Sequence, residues 1–269
     1  MKRFVFLLVA VAGCGVLAAQ TPTVAPGGVL NGASFLKGGA ITPGSLITIF
    51  GTQLASKTAE ADTIPLSTAL GGVTVQFVNG STTVSAPMLF ANSTQVNAQV
   101  PWELVPSGTT TPVSVNVIVS NNGIASAPAA VTVGPFSPGV FSSNGLAIAE
   151  NQDGTLAWPT GAVAGLTTHP AKPGDVIIIY ATGLGAVNSA IADGQNSLDK
   201  LRNTLTVPVV MIGGVTAQVE FSGLSPQFVG VNQLNVVVPN TAAGNSVPLQ
   251  LMVGGITTSN AITMAVANP

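Results

Sequence analysis

The sequence predicts an all-β protein made of two antiparallel β-sandwiches in tandem. Three observations predict this class: a duplicated pattern, alternating apolar and polar residues next to turn dipeptides, and closely spaced prolines and glycines. The first two duplicated landmarks recur after 130 and 138 positions. In pairs, the landmarks are 43–54 with 173–184, 95–101 with 233–239, and 117–124 with 251–256. Three landmarks in the same order indicate two copies of one domain.

Period-two alternation predicts the strands of each copy. In the first copy, residues 73–77 alternate and then meet the tight-turn dipeptide Asn79-Gly80. Residues 113–117 alternate as well, and in the second copy the odd positions of 215–221 form an apolar face. The chain has 19 prolines and 31 glycines, which interrupt most helices of three turns. No amphipathic helix is predicted after the first twenty residues.

Composition supports a folded protein with few charged residues. Hydrophobic residues make up 46% of the chain and charged residues only 6%, so each copy can bury a core while Ser, Thr, Asn and Gln solvate the surface. Disordered proteins usually combine low hydrophobicity with high charge. This chain has the opposite composition, so it is not predicted to be disordered. The net charge is −2 with seven basic residues, so no basic patch for nucleic acid is predicted.

Residues 1–20 are predicted to be an export signal. Lys2 and Arg3 precede an apolar run over 4–12, and small residues over 16–19 suit cleavage. The alternative is a bacterial lipobox over 11–14, in which Cys14 is acylated and becomes the mature N-terminus. Cys14 is the only cysteine, so no disulfide is predicted in the folded part. No transmembrane span is expected in the mature chain, because the apolar run is short for a membrane helix.

The predicted organisation after the signal is a first sandwich over 28–134, a connecting segment over 135–170 and a second sandwich over 171–269. Within the segment, residues 147–158 indicate a hairpin around Asn151-Gln152-Asp153-Gly154. A calcium loop is disfavoured, because the first and last carboxylates of an EF-type loop are missing. Strand 176–180 is apolar on both faces, so we expect the segment to dock against it rather than remain a free linker.

These landmarks resemble a known fold family. The order PGxxxxIxGxxL, GGVxVxF, TQVNxQVP and VxVxVxNNGxxSxPxxVTV is similar to the IPT/TIG immunoglobulin-like fold. From about Gly28 onward, the chain resembles an uncharacterised tandem C-terminal domain family of Solibacter-type soil bacteria. The motifs that carry this second resemblance are NGASF at 31–35, VPWE at 100–103, NQDG at 151–154, PAKPG at 170–174 and ATGLG at 181–185. The resemblance implies an immunoglobulin-like fold and an extracytoplasmic location, and it implies no activity.

Catalytic residues are scarce. His169 is the only histidine, so a catalytic triad or histidine metal cluster has to use it. It precedes Pro170 at the entry to the second copy, where a solvated loop residue is the ordinary interpretation, and no Gly-x-Ser-x-Gly elbow is present. Candidate carboxylate pairs for glycosidase chemistry, Asp193 with Asp199 and Glu60 with Asp62, are expected to solvate their loops. We therefore predict no enzyme, no metal and no cofactor, with a hydrolase using His169 as a remote alternative.

Sugar binding is a second alternative, because a carbohydrate module stacks sugars on exposed aromatic rings. The candidate rings are Trp102, Trp158 and Tyr180; the two tryptophans are placed where they can cap a sandwich, and Tyr180 is expected in the core. Two duplicated amide pairs are predicted to be structural. Because residues i and i+2 share one face of a strand, these pairs can form amide ladders across strands. They are Gln95 with Asn97 and Gln233 with Asn235.

The function predicted from sequence is a secreted or cell-surface, non-enzymatic protein for interaction, adhesion or envelope and matrix structure. The alternative is a carbohydrate-binding accessory module of extracellular polysaccharide metabolism. Its expected partner is a protein or polysaccharide at the cell surface. The sequence identifies no ligand-binding residue.

Overall fold

A computed structural model describes residues 21–106, 108–241, 243–258 and 260–268. In these ranges the chain forms strands, turns and one short 3-10 helix (Trp102–Leu104), with no α-helix. The predicted signal and Cys14 lie outside the described residues.

The described residues of the first half form eleven strands. They are β1 (Thr23–Asn31), β2 (Leu46–Thr52), β3 (Ala59–Glu60), β4 (Ala69–Leu70), β5 (Val73–Asn79), β6 (Thr82–Ser85), β7 (Met88–Ala91), β8 (Gln95–Gln99), β9 (Val113–Asn121), β10 (Ile124–Ala125) and β11 (Ala129–Val133). One sheet has the order β1-β2-β8-β7-β3. The other has the order β10-β9-β5-β4, with β11 paired to β9 and β6 to β5.

These two sheets enclose the first core. Val73, Val75 and Phe77 of β5 are fully buried, and Thr74 and Gln76 between them are half-buried, as the alternation predicts. The buried faces of β2 and β8 supply the opposite side of the same core. All buried members of this core lie between residues 29 and 133.

Eleven further strands lie in the part of the second half that the structure describes. They are β12 (Gly139–Val140), β13 (Ser142–Ser143), β14 (Leu146–Ala147), β15 (Ala149–Glu150), β16 (Val176–Thr182), β17 (Val209–Ile212), β18 (Val215–Leu224), β19 (Asn232–Val237), β20 (Gly244–Val253), β21 (Ile256–Thr257) and β22 (Ile262–Val266). They follow the order β12-β16-β19-β18-β17-β20-β22-β14-β13, with β15 paired to β16 and β21 to β20.

Strand β18 joins the two layers of this second sandwich. Its first residues pair with β17, and the residues from Gln218 onward pair with β19. The register shifts between Val219 and Phe221, which is the position of a β-bulge. The second core lies between the layers, and all of its buried members lie between residues 140 and 266.

The strand pairing repeats the sequence duplication. In the first sandwich Ile47 of β2 lies opposite Ala98 of β8, and in the second Ile177 of β16 lies opposite Val236 of β19. These partners differ by the same 130 and 138 positions as the sequence landmarks. The two copies therefore keep one register, and the chain folds into two immunoglobulin-like β-sandwiches in tandem.

The segment 135–170 contacts the second sandwich through a strand edge. Strands β12 and β15 both pair antiparallel with β16. The expected cover over the outer face of β16 is only partial, because Ile178 and Tyr180 on that face remain half-buried. The segment also supplies Val140, Ala147 and Ala149 to the second core. The sequence predicts a first sandwich over 28–134, this segment over 135–170 and a second sandwich over 171–269. We propose that the segment forms one structural unit with the second sandwich.

In the described ranges, no helix has the length and apolar character that crossing a membrane requires.

Candidate ligand-binding cleft between the two sandwiches

The predicted hairpin of the 135–170 segment places His169 beside a turn. The amide of Gly154 donates to Asn151 O at 3.0 Å, and Asp153 Oδ1 accepts from the backbone and the hydroxyl of Thr155. Gly154 has φ 82°, a conformation that favours glycine. Residues 151–154 therefore form a turn, and the carboxylate of Asp153 is engaged within it.

Both ring nitrogens of His169 are engaged. Nδ1 lies 2.9 Å from Pro170 O, and Nε2 lies 2.9 Å from Asp153 Oδ2. A carbonyl only accepts, so Nδ1 carries a proton; the carboxylate favours a proton on Nε2 as well. The hydrogen bond to Pro170 and then the contact with Asp153 raise the pKa of His169, and Asp153 has a pKa held well below its usual range by Thr155 and then His169. With His169 protonated, the pair forms an exposed salt bridge between the turn and the start of the second sandwich.

The duplicated amides are bonded along their own strands rather than across strands. Gln95 Nε2 donates to Asn97 Oδ1 at 2.9 Å, and Gln233 Nε2 donates to Asn235 Oδ1 at the same distance. The only cross-strand addition at these positions in the described structure is Thr48, whose hydroxyl donates to Asn97 Oδ1. In the described residues no amide-to-amide bond joins two strands at these positions, because the i, i+2 spacing lets one amide bond the other; the structural role of these amides stays a prediction.

The aromatic candidates have separate environments. Trp158 is 5% exposed and donates from Nε1 to Ala147 O at 2.6 Å, whereas Trp102 is half-buried and packs its ring on Gly44. Tyr180 is not in the core, contrary to expectation. It is half-buried on the outer face of β16, and a cleft opens next to it.

This cleft lies between the two sandwiches and has a volume of about 920 Å³. Its wall is mainly apolar, with residues from both copies and from the 135–170 segment. The lining comprises Leu46, Ala61, Asp62, Thr63, Ile64, Leu66, Leu89, Phe141, Ile148, Glu150, Tyr180, Gln227, Phe228, Val229 and Val231. Clefts of this size that combine apolar walls with a few polar groups are typical ligand sites.

Three side chains form a corner of the cleft. The rings of Tyr180 and Phe228 are 5.9 Å apart between centroids and nearly perpendicular, at 82°. The Tyr180 hydroxyl donates to Glu150 Oε2 at 3.2 Å. Burial and then the negative charge of Glu150 raise the pKa of Tyr180. We call these three residues, Glu150, Tyr180 and Phe228, the aromatic corner.

A direct hydrogen bond between the copies lies at the wall of the cleft. The Thr182 hydroxyl accepts from Leu46 N at 2.9 Å and donates to Gly230 O at 2.7 Å. Gly230 has φ 69°, and a Cβ atom there would lie 2.7 Å from Leu46 Cδ2. The positive φ and the close approach together favour glycine at this position.

A second set of contacts holds the 61–66 wall. Leu66 N donates to Gly194 O at 2.9 Å, and Gly194 N donates to Gln99 Oε1 at 2.8 Å. Beside them, Asp193 Oδ1 accepts from Trp102 N at 2.9 Å. Burial, and then the neighbouring Glu103 carboxylate, raise the pKa of Asp193 to about 6.

The other proposed carboxylates have separate roles. Asp199 forms a bidentate pair with the buried Arg202, at 2.6 and 3.0 Å, which lowers the pKa of Asp199. Glu60 lies in the short strand β3, and Asp62 lines the cleft. The expectation that these groups only solvate loops is therefore wrong for Asp193 and Asp199, because each one binds a specific partner.

Sequence reasoning missed most of the cleft. The sequence predicts Tyr180 in the core, but it lies half-buried beside the cleft. The sequence pattern does not identify Leu46, Glu150 or Phe228 as site residues. The available signal was Phe228, a large apolar side chain between Ser225-Pro226 and Gly230 in a turn-rich segment. Among the described residues, no group of three or more His, Cys, Asp or Glu is arranged to hold a metal ion.

No protein-family model matches the chain, and no curated protein matches it. Similar solved structures include the Bacteroides ovatus mixed-linkage glucan utilization locus SGBP-B in complex with a mixed-linkage heptasaccharide, at 13% identity and TM-score 0.36, covering 86% of this chain and 44% of that one. The surface glycan-binding protein PbSGBP-B from Prevotella bryantii is similar at 12% identity and TM-score 0.27, with 91% and 42% covered.

Tandem Ig domains of titin are similar at 8% identity and TM-score 0.20, with 86% of this chain and 95% of that chain covered. The chain thus spans less than half the length of the two glycan-binding proteins. The likenesses concern the β-sandwich architecture.

Proposed function

We propose that the chain is a non-enzymatic, extracytoplasmic binding protein that holds a partner in the cleft between its two sandwiches. The observation that carries this proposal is the apolar cleft itself, in which Phe228 remains 49% exposed and Ile64 46% exposed. Exposed apolar side chains gathered in one concave surface are typical of interaction sites. We also propose that residues 1–20 direct export, with a lipid anchor at Cys14 as the alternative. We propose in addition that the chain is a member of the Solibacter-type family.

The geometry at His169 supports a non-enzymatic function. A general base needs a free nitrogen lone pair directed at a substrate. Pro170 O and Asp153 Oδ2 occupy both ring nitrogens, so the hydrolase alternative has the weaker support.

The carbohydrate alternative rests on Tyr180 and Phe228, which line the cleft together. Sugar hydroxyls need hydrogen-bonding partners, and the cleft offers few of them: Asp62, Thr63, Glu150 and Gln227. Because apolar side chains form most of the wall, we favour a partner with apolar side chains over a polysaccharide.

The test is a pull-down from the surface fraction of the producing cells, with partners identified by mass spectrometry and rebound in purified form. Phe228→Ala should lose the partner because it removes an exposed wall of the cleft. Phe35→Ala is the matched control, since Phe35 is also 49% exposed but lies outside the cleft. Equal capture of the partner by Phe228→Ala and Phe35→Ala would show that the partner binds outside the cleft. Binding of mixed-linkage glucan that Phe228→Ala abolishes would favour the carbohydrate alternative. Turnover of ester, peptide or glycoside substrates that His169→Ala abolishes would support the hydrolase.

A further inference from the structure

The cleft carries negative charge without a described counter-ion. Glu150 and Asp62 line it, whereas no lysine or arginine does. Lys2 and Arg3 lie outside the described residues, and the other five basic residues are Lys37, Lys57, Lys172, Lys200 and Arg202. The ion pairs in the described ranges engage Asp153 and Asp199 instead. A carboxylate on a largely apolar wall is stabilised when a cation binds beside it.

The aromatic corner has the composition of a cation site. The Glu150 carboxylate accepts one hydrogen bond from Tyr180, at 3.2 Å, and keeps acceptor capacity for further donors. The two rings are nearly perpendicular, so they present differently oriented π surfaces beside that carboxylate. Lysine and arginine side chains bind favourably to aromatic faces, most strongly where water is partly excluded.

Resting on the proposed function, we propose that the cleft binds an extended peptide segment of a partner protein that carries an arginine or lysine between apolar residues. The basic side chain lies in the aromatic corner, against Glu150, Tyr180 and Phe228. The flanking apolar side chains pack on Leu46, Ile64 and Leu66, which line the same cleft. The charge of Glu150 selects the basic residue, and burial of apolar surface supplies further affinity.

Tyr180 provides a direct reporter, because it is the only tyrosine in the chain. Burial and Glu150 raise its pKa in the free protein. A cation bound in the corner favours the tyrosinate form, so a basic peptide should lower that pKa and a neutral peptide of the same shape should not.

The experiment uses the full chain and a peptide array of the form X-X-Arg-X-X, where X is Val, Leu, Ile or Phe. A twin array carries citrulline in place of arginine, which keeps the shape and removes the charge. Calorimetry on the best pairs should show arginine peptides binding about tenfold more tightly than their citrulline twins. Glu150→Gln should abolish this preference. Glu220→Gln should preserve it, because Glu220 is exposed on β18 outside the cleft. Absorbance titration of Tyr180 should show the lowered pKa with arginine peptides only.

Three results would overturn the inference, and they are distinguishable from failure of the proposed function. Equal binding of both arrays, lost in Phe228→Ala and kept in Phe35→Ala, would leave the cleft as a binding site but remove its preference for a cation. An arginine preference that survives in Glu150→Gln would place the cation elsewhere. If neither array binds, the peptide class is wrong, and the pull-down still decides whether the cleft holds a partner.

Discussion

The hydroxyl of Thr182 accepts a hydrogen bond from the first sandwich and donates one within the second. Its partners are Leu46 N and Gly230 O, and Thr182 itself is fully buried. Thr182→Val keeps the shape of the side chain but leaves the partners at Leu46 and Gly230 without their bonds. We expect the free energy of unfolding to fall by about 1–3 kcal/mol, the cost of unsatisfied buried polar groups. Chemical denaturation measures this, with Thr182→Ser as the control that keeps the hydroxyl. Equal stability of the valine and serine variants would contradict the role assigned to Thr182.

The duplicated positions show why such roles were not predicted. Thr52 and Thr182 are separated by the 130-residue repeat, yet Thr52 is exposed and Thr182 is fully buried. Phe50 and Tyr180 are equivalent as well, and each has a different aromatic neighbour, Phe35 or Phe228. The strand pattern is the same in both copies, so it predicts the backbone and gives no information on what lies against each side chain.

In the loop before β17, the Asp193 carboxylate accepts a hydrogen bond from Trp102 N of the first sandwich. Burial, and then the Glu103 carboxylate, raise the pKa of Asp193 to about 6. An acid with a raised folded-state pKa binds more protons in the folded than in the unfolded state. Its contribution to stability is therefore fully present below about pH 4 and is lost as the pH rises toward 6 and above.

Asp193→Asn should therefore stabilise the protein at pH 7.5 and flatten the dependence of stability on pH between 4 and 7. The side-chain amide keeps the acceptor for Trp102 N and removes the repulsion by Glu103. Because Asp193 is only half-buried, solvent screening limits the expected gain to about 1 kcal/mol. Thermal denaturation over this pH range is the measurement, and Glu60→Gln is the control for removing one exposed carboxylate. A wild-type stability that rises with pH through this window, with no gain in Asp193→Asn, would contradict the assignment.

Among the strands, those that alternate in sequence were the predictable ones. β5 and β9 follow a period of two and lie in the described sheets, and β2 and β16 follow from the repeat. The two-residue strands β12 and β15 are too short for periodicity to reveal, so their pairing with β16 was not predicted in detail. The pairing of β18 with both layers was not predicted either. Its change from one layer to the other depends on a bulge between Val219 and Phe221, which the alternation of residues does not reveal.

The arrangement of the two sandwiches creates the cleft, and this arrangement was not predictable from either copy. Leu46 and Leu66 come from the first sandwich, Phe228 and Val229 from the second. Such residues are far apart in sequence and share no periodic pattern. The cleft therefore exists only if the contacts at Thr182, Gly230 and Gly194 hold the sandwiches in one orientation.

Double electron–electron resonance measures whether the two sandwiches hold one orientation. Spin labels at Lys57→Cys and Glu220→Cys, both exposed, report the distance between the sandwiches in a Cys14→Ser background. Gly230→Ala should disturb the interface, because its Cβ meets Leu46 at 2.7 Å. Gly214→Ala is the matched control, since it has a similarly positive φ of 81° and no atom within 4 Å of its Cβ. We predict one narrow distance distribution in the parent protein and in Gly214→Ala, broadened in Gly230→Ala. A broad distribution in the parent that Gly230→Ala leaves unchanged would show that the sandwiches move independently and that the cleft has no fixed walls.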